Sequence, residues 1–313
     1  MAMEGNSSSS SCSAANKKVM TKKDEERLSC LHEPLIYHIL SFLDMKEVVQ
    51  TSILSKRWRN IWRSVRILNF HEYAWTNDGT LDINKRKLKF FIDTVLLLRD
   101  GSDIDKFDLN FCTHCGDCGR IDRWIAYAVK RRVQVLTLAS VPISSPKSIC
   151  LSGGVNTLDL AAIILPGDKN RNLSLDLPIV ENLIIASCDH DGLNILRISG
   201  PKLKYLRLDN AFQDFNRGTS IKINAPNLIS LKCNGYTYED YTLENLSALV
   251  TADIDTMIDC DDEDLNEDED EETTLKKLVG MRLSGILKGI TNAKSLTLSG
   301  HGFQVCFLPL LLQ

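Results

Sequence analysis

The sequence predicts an α/β chain in two parts: a short unit of three helices, then a solenoid of repeats whose strands line a parallel, concave sheet. Three observations carry this expectation. Apolar residues over 24–68 fall at helical spacing in three short runs. The phrase apolar-x-x-apolar-x-apolar recurs eight times from residue 104 onward. The stretches between the phrases hold turn residues, such as "PGDKNRN" at 166–172 and "DHDG" at 189–192.

The chain opens on a Ser-rich tail over 1–23 that ends in "KKVMTKK" and has no apolar core. Such a tail cannot bury enough surface to fold, and it is not a secretory signal. Ten cysteines are spread widely along the 313 residues. Without a secretory leader, that usage points to reduced thiols in the nucleus or cytoplasm. No apolar run approaches the roughly 18 residues a membrane helix needs.

In the first unit, Leu35, Ile36, Ile39, Leu40 and Leu43 keep helical spacing, with Pro34 in a first turn. Asp44 and Glu47 form a capping-box pattern ahead of Met45, Val48, Val49 and Ser52. Ser55 is expected to cap a third helix, in which Trp58, Ile61, Trp62 and Val65 share one face. Lys56, Arg57, Arg59 and Arg63 ring the two tryptophans, which leaves a nucleic-acid-binding helix as one reading. The apolar stripe argues for core and interface instead, because nucleic-acid readers need a longer basic surface. Three short helices cannot cover their own apolar surface, so the unit needs a further surface to dock on.

The repeat phrases centre on Phe107, Leu136, Leu158, Leu183, Leu206, Leu231, Ala252 and Leu296. Their steps are 29, 22, 25, 23, 25, 21 and 44 residues. The last is twice 22, as if one unit were overrun by an insertion. The other steps fall in the roughly 20–29-residue period of leucine-rich repeats. Each phrase alternates like a strand, and stacking is the only way to cover its apolar face. "IDRWIAYAVKRR" at 121–132 reads as an amphipathic helix with Ile121, Trp124, Ile125 and Ala128 inward. Later units are expected to have short helices or none.

Charge is concentrated. Residues 253–272 hold 13 of the 41 acids and no Lys or Arg, so the remainder carries a balance of +9. A run this dense repels itself and is expected to form a loop.

The run "RLSCLHEPLIYHILSFLDMKEVVQTSILSKRWRNIWRSV" resembles an F-box, in the plant style where it opens a longer leucine-rich protein. Leu31, Ile39, Leu40, Phe42, Leu43, Val49, Ser52, Leu54, Ser55, Lys56, Arg57, Trp58 and Trp62 stand at the family's spacing. His32 departs from it, since a proline usually follows the leucine and here stands at Pro34. "VQVLTL", "APNLISLKC" and "NAKSLTLSG" are similar to repeat phrases of the same family. The division expected is a tail (1–23), the F-box (24–68), a linker or first helical cap (69–103) and the solenoid (104–313) with the acidic loop (253–272). Many relatives run on into a further C-terminal domain. Ending at "FQVCFLPLLLQ" therefore predicts a shortened member, with Phe307, Leu308 and Leu310 to Leu312 capping the last repeat.

The resemblance implies a substrate-recognition subunit of a cullin-based SCF ubiquitin ligase, with no catalytic residue of its own. A Skp-type adaptor would bind the F-box and, through it, cullin; a target protein would bind the repeats. Family match and helical spacing together name Leu31, Leu35, Ile36, Ile39, Val49, Leu54 and Trp58 as the adaptor contact or its support. An adaptor-binding decoy outside any ligase, and a nucleic-acid-binding protein, remain as other readings. No cofactor or metal is expected. "CTHCGDC" at 112–118 lacks the second ligand pair of a zinc site, and "SCDHDG" at 187–192 has Ile198 where a calcium loop needs Glu.

Overall fold

The computed structural model describes residues 30–75, 81–110, 118–141, 143, 154–189, 192–210, 218–257 and 280–299, with side chains of 81–83 excepted. Helix α1 spans Glu33–Leu40, with Pro34 in its first turn and His32 at the N-cap. Helix α2 spans Met45–Gln50 and begins in the expected capping box. Asp44 accepts from the Lys46 amide at 2.9 Å, and Glu47 accepts from the Asp44 amide at 3.1 Å.

The third helix differs from the expectation. Trp58–Ser64 is 3-10 rather than α, and Arg57, not Ser55, precedes its first residue. Ser55 contributes its carbonyl, to the Trp58 amide at 3.1 Å, while its hydroxyl has no partner among the described residues. The tighter winding brings Val65 out of the helix in extended form, where the chain turns into a strand.

That strand, β1 (Ile67–His71), is the first of nine in one parallel sheet. The sequence reading ended the F-box at 68 and began the solenoid at 104; the sheet instead starts at Ile67, inside that boundary. Leu68 and Phe70 point inward, and β1 pairs with β2 (Lys106–Asn110). Helix α3 (Leu81–Leu98) connects them, and α4 (Cys118–Lys130) follows β2.

All eight repeat phrases lie in this sheet. In chain order they form β2, β3 (Val135–Ala139), β4 (Thr157–Ala161), β6 (Asn182–Ala186), β8 (Tyr205–Asn210), β10 (Ser230–Gly235), β12 (Thr251–Thr256) and β13 (Ser295–Leu298). The three apolar positions of each of the first seven phrases are buried. At roughly 1.5–3 kcal/mol per buried side chain, each unit is stabilised only once its neighbours close over it. At β13, Leu296 is exposed.

The later units, expected to have short helices or none, carry strands: a second parallel sheet stands there, in the order β11 (Asp240–Glu244), β9 (Ser220–Asn224), β7 (Ile195–Ser199), β5 (Asn172–Asp176). Leu173, Leu175, Leu196, Ile198, Ile221 and Ile223 turn inward from it and join the same core. The acidic window does not start as a loop: Asp253 and Asp255 belong to β12, whose Ile254 is buried beside Ala252. β12 pairs directly with β13 across the 44-residue step, with no strand between them among the described residues. Residues 258–279 lie outside the described residues, as do the tail at 1–23 and Phe307 to Leu312. Residues 280–289 form α5.

The strands end in a repeated turn. Ser140, Ala162 and Ser187 each take a left-handed backbone (φ 57°, 49° and 50°) one residue past β3, β4 and β6. Each donates its amide to the next strand's end, as in Ser140 to the Ala161 carbonyl at 2.9 Å. At β10 the left-handed residue is the strand's last, Gly235 (φ 88°), and the Tyr236 amide after it donates back to the Asn210 carbonyl of β8 at 2.9 Å. F-box and solenoid share one buried cluster, running from Ile36 and Trp58 through Phe70 and Phe107 to Ile290.

Candidate adaptor-binding face

Helix α1 carries two apolar stripes side by side. Ile36 and Leu40 are buried against the chain's own core. Leu35 and Ile39, one position earlier in each turn, are 46% and 40% exposed. Phe42, just past the helix, is 75% exposed, with its ring against His38 at 5.0 Å; Ile53, in the turn after α2, is 86% exposed. Among the residues named from sequence, Leu35 and Ile39 therefore stand open. Leu31, Val49 and Leu54 are half-buried and pack on the core's edge. Ile36 and Trp58 are sealed inside the chain's own core. Phe42 and Ile53 were not among the named seven. Phe42 stood at the family's spacing and Ile53 continues the spacing of Met45 and Val49, so a signal existed for both.

All four basic residues around the tryptophans are exposed. Arg63 donates through Nε to the Leu98 carbonyl at 2.7 Å. Arg66, just beyond, pairs with Asp105 at 2.6 Å. Trp58 is buried and Trp62 packs against the core, so neither presents an open ring for base stacking.

The face is held on the solenoid by a polar joint. The His71 amide donates to Asp44 Oδ2 at 2.9 Å, and its ring lies 3.5 Å from that carboxylate and 3.4 Å from Asp108 on β2. Lys106 reaches Asp108 from the other side at 2.8 Å. Bonds to Asp108 and Asp44 outweigh burial and raise the His71 ring to about 9. Burial alone would push the Asp108 carboxyl up, but bonds from His71 and Lys106 hold it below the usual carboxylate range. Asn69 completes the joint by donating to the Leu43 carbonyl at 3.3 Å.

On the open side of the nine-stranded sheet, pairing aligns Asp108, Thr137, Asp159, Ile184, Arg207, Lys232, Asp253 and Thr297 in one row. Lys232 pairs with Asp253 at 2.8 Å. Burial, followed by the charge of Asp108, raises the Asp159 carboxyl. This row is a mixed polar and charged surface.

None of the described residues forms a metal-ligating cluster of His, Cys, Asp and Glu. Residues 111–117, with most of "CTHCGDC", lie outside the described residues, as do His190 and Asp191 of "SCDHDG". Asp189 bridges to Ile164 in a turn. Cys188 is buried, and burial pushes its thiol up to about 11, which makes it a poor nucleophile. Among the described residues, no helix is long and apolar enough to cross a membrane.

The structure is thus a short helical unit set on a leucine-rich-repeat-like solenoid of parallel strands. Residues 28–70 match the F-box domain family. The chain is similar to an F-box/LRR-repeat protein of Arabidopsis thaliana, 28% identical over 90% of this chain and 60% of that protein. A second F-box/LRR-repeat protein of Arabidopsis thaliana is 27% identical over 74% of this chain and 56% of its own length. An FBD-associated F-box protein of the same plant is 28% identical over 76% and 60%. The chain thus has the build of a plant F-box/LRR protein. It spans about three fifths of the length of the curated relatives it matches.

Proposed function

We propose that this chain is the substrate-recognition subunit of a cullin-based SCF ubiquitin ligase, acting in the nucleus or cytoplasm. The Skp-type adaptor docks on Leu35, Ile39, Phe42 and Ile53, and the adaptor brings cullin. The target protein lies on the open row of the nine-stranded sheet. The observation that carries this reading is the double stripe of α1, in which Ile36 and Leu40 anchor the helix while Leu35 and Ile39 remain uncovered. An exposed apolar patch of this kind on a small helical unit marks a protein contact.

The chain itself performs no bond-making step in this account. It holds the target at high effective concentration near a charged ubiquitin-transfer enzyme, and the target's lysines are the nucleophiles. The shared core and the Asp44–His71–Asp108 joint serve that purpose, because a stiff frame fixes the distance between adaptor and target.

The test is affinity purification of the full chain from plant cells, with and without proteasome inhibition, followed by mass spectrometry. A Skp-type adaptor and cullin in both samples, with a further protein enriched under inhibition, is the expected result. Recovery of adaptor without cullin would instead support a decoy outside any ligase, and recovery of neither would overturn the proposal.

A further inference from the structure

A second uncovered apolar face lies away from the F-box, on the pair α3 and α4. Phe90 and Leu97 sit seven residues apart on one stripe of α3 and are 74% and 81% exposed. The opposite stripe of that helix, Leu88, Ile92 and Val95, is buried in the core. Leu97 borders a cleft of about 370 Å³ between the two helices, closed on the α4 side by Arg123, Trp124, Tyr127 and Arg131.

The charge around this face is one-sided. Residues 85–99 and 118–132 hold ten Lys and Arg against two Asp. Of these acids, Asp93 is already bonded by the Trp124 indole at 2.7 Å and lies 3.6 Å from Arg120. Arg86 and Lys87, one turn before Phe90, and Arg123, on the cleft, pair with no acid among the described residues. Cations with no counter-charge around two large apolar side chains are suited to an occupant with the reverse arrangement.

We propose that the α3–α4 face binds an acidic segment of a partner protein whose apolar side chains cover Phe90 and Leu97 and enter the cleft. A nucleic acid fits less well, because its phosphates would have to lie against a leucine and a phenylalanine at the centre of the stripe. This face is separate from the adaptor face on α1, so the two proposals stand or fall independently.

The probe is a fluorescent 15-residue peptide of Glu and Asp with Leu and Phe at helical spacing, titrated into the full chain and followed by anisotropy. A peptide with Ser in place of Leu and Phe, and a 15-nucleotide uridine RNA, are the comparisons. The natural chain should bind the apolar-bearing acidic peptide at least tenfold more tightly than either. Phe90→Ser with Leu97→Ser, or Arg123→Glu alone, should each weaken that binding about tenfold. All three positions are exposed, and unchanged thermal melting will show that the variants stay folded. No binding of the acidic peptide, equal binding of the Ser peptide or of RNA, or binding indifferent to both variants would overturn the proposal.

Discussion

Asp44 and His71 are joined twice, through the His71 amide on Asp44 Oδ2 at 2.9 Å and through the imidazole 3.5 Å from the same carboxylate. The other oxygen of Asp44 caps α2. One side chain thus starts a helix of the F-box and ends the first strand of the solenoid. Asp44→Ala removes the cap, worth about 1 kcal/mol, and leaves the part-buried His71 amide unpaired, at about 1–3 kcal/mol more. Urea unfolding should show a loss of roughly 2–4 kcal/mol. A loss below that of a surface substitution would show that the joint carries no load.

The same joint makes stability depend on pH. The folded state holds the His71 proton up to about 9, against 6.5 for the free side chain. The joint's contribution is therefore complete below pH 6.5 and is lost as pH rises through about 9. The urea midpoint of the natural chain should fall across that window, and His71→Gln should flatten the slope. A midpoint that rises with pH there would contradict the assignment.

Gly235 turns the chain at the end of β10 with φ 88°, and a Cβ there would collide with the Asn210 carbonyl oxygen. Gly235→Ala should destabilise by at least about 2 kcal/mol, through both strain and collision. Gly119, in the first turn of α4 with nothing within 4 Å of a Cβ, is the comparison: Gly119→Ala should be neutral or slightly stabilising. Thermal melts of the two variants separate these outcomes.

Phe70 on β1 meets Phe107 on β2 at 5.8 Å and Phe91 on α3 at 6.3 Å, where F-box and solenoid share their core. Phe70→Ala should cost about 3–5 kcal/mol. Hydrogen exchange should show α1 and β3 losing protection together. Independent opening of α1 would mean the two parts are hinged rather than fused.

The repeat was legible because burial demands it: every phrase from "IDKFDL" to "AKSLTL" became a strand of one sheet, in order. The second sheet escaped notice because "NLSLD", "ILRIS" and "SIKIN" carry only two inward residues each and lie among turn residues. Their period-two alternation was present but too short to separate from loop. β1 was hidden for a different reason: Leu68 and Phe70 continue an apolar run that began in the helices. Within the F-box, spacing identified the apolar residues of α1 but not which stripe stays open. Leu35 with Ile39 and Ile36 with Leu40 have identical spacing, and only the core that covers the second pair distinguishes them.

The uncovered stripe of α1 is best tested by titrating a purified Skp-type adaptor into the full chain by calorimetry. Leu35→Asp with Ile39→Asp should reduce affinity at least a hundredfold while circular dichroism stays unchanged, and Phe90→Ser, on the other face, should leave it intact. A folded double variant that binds adaptor as tightly as the natural chain would contradict the account.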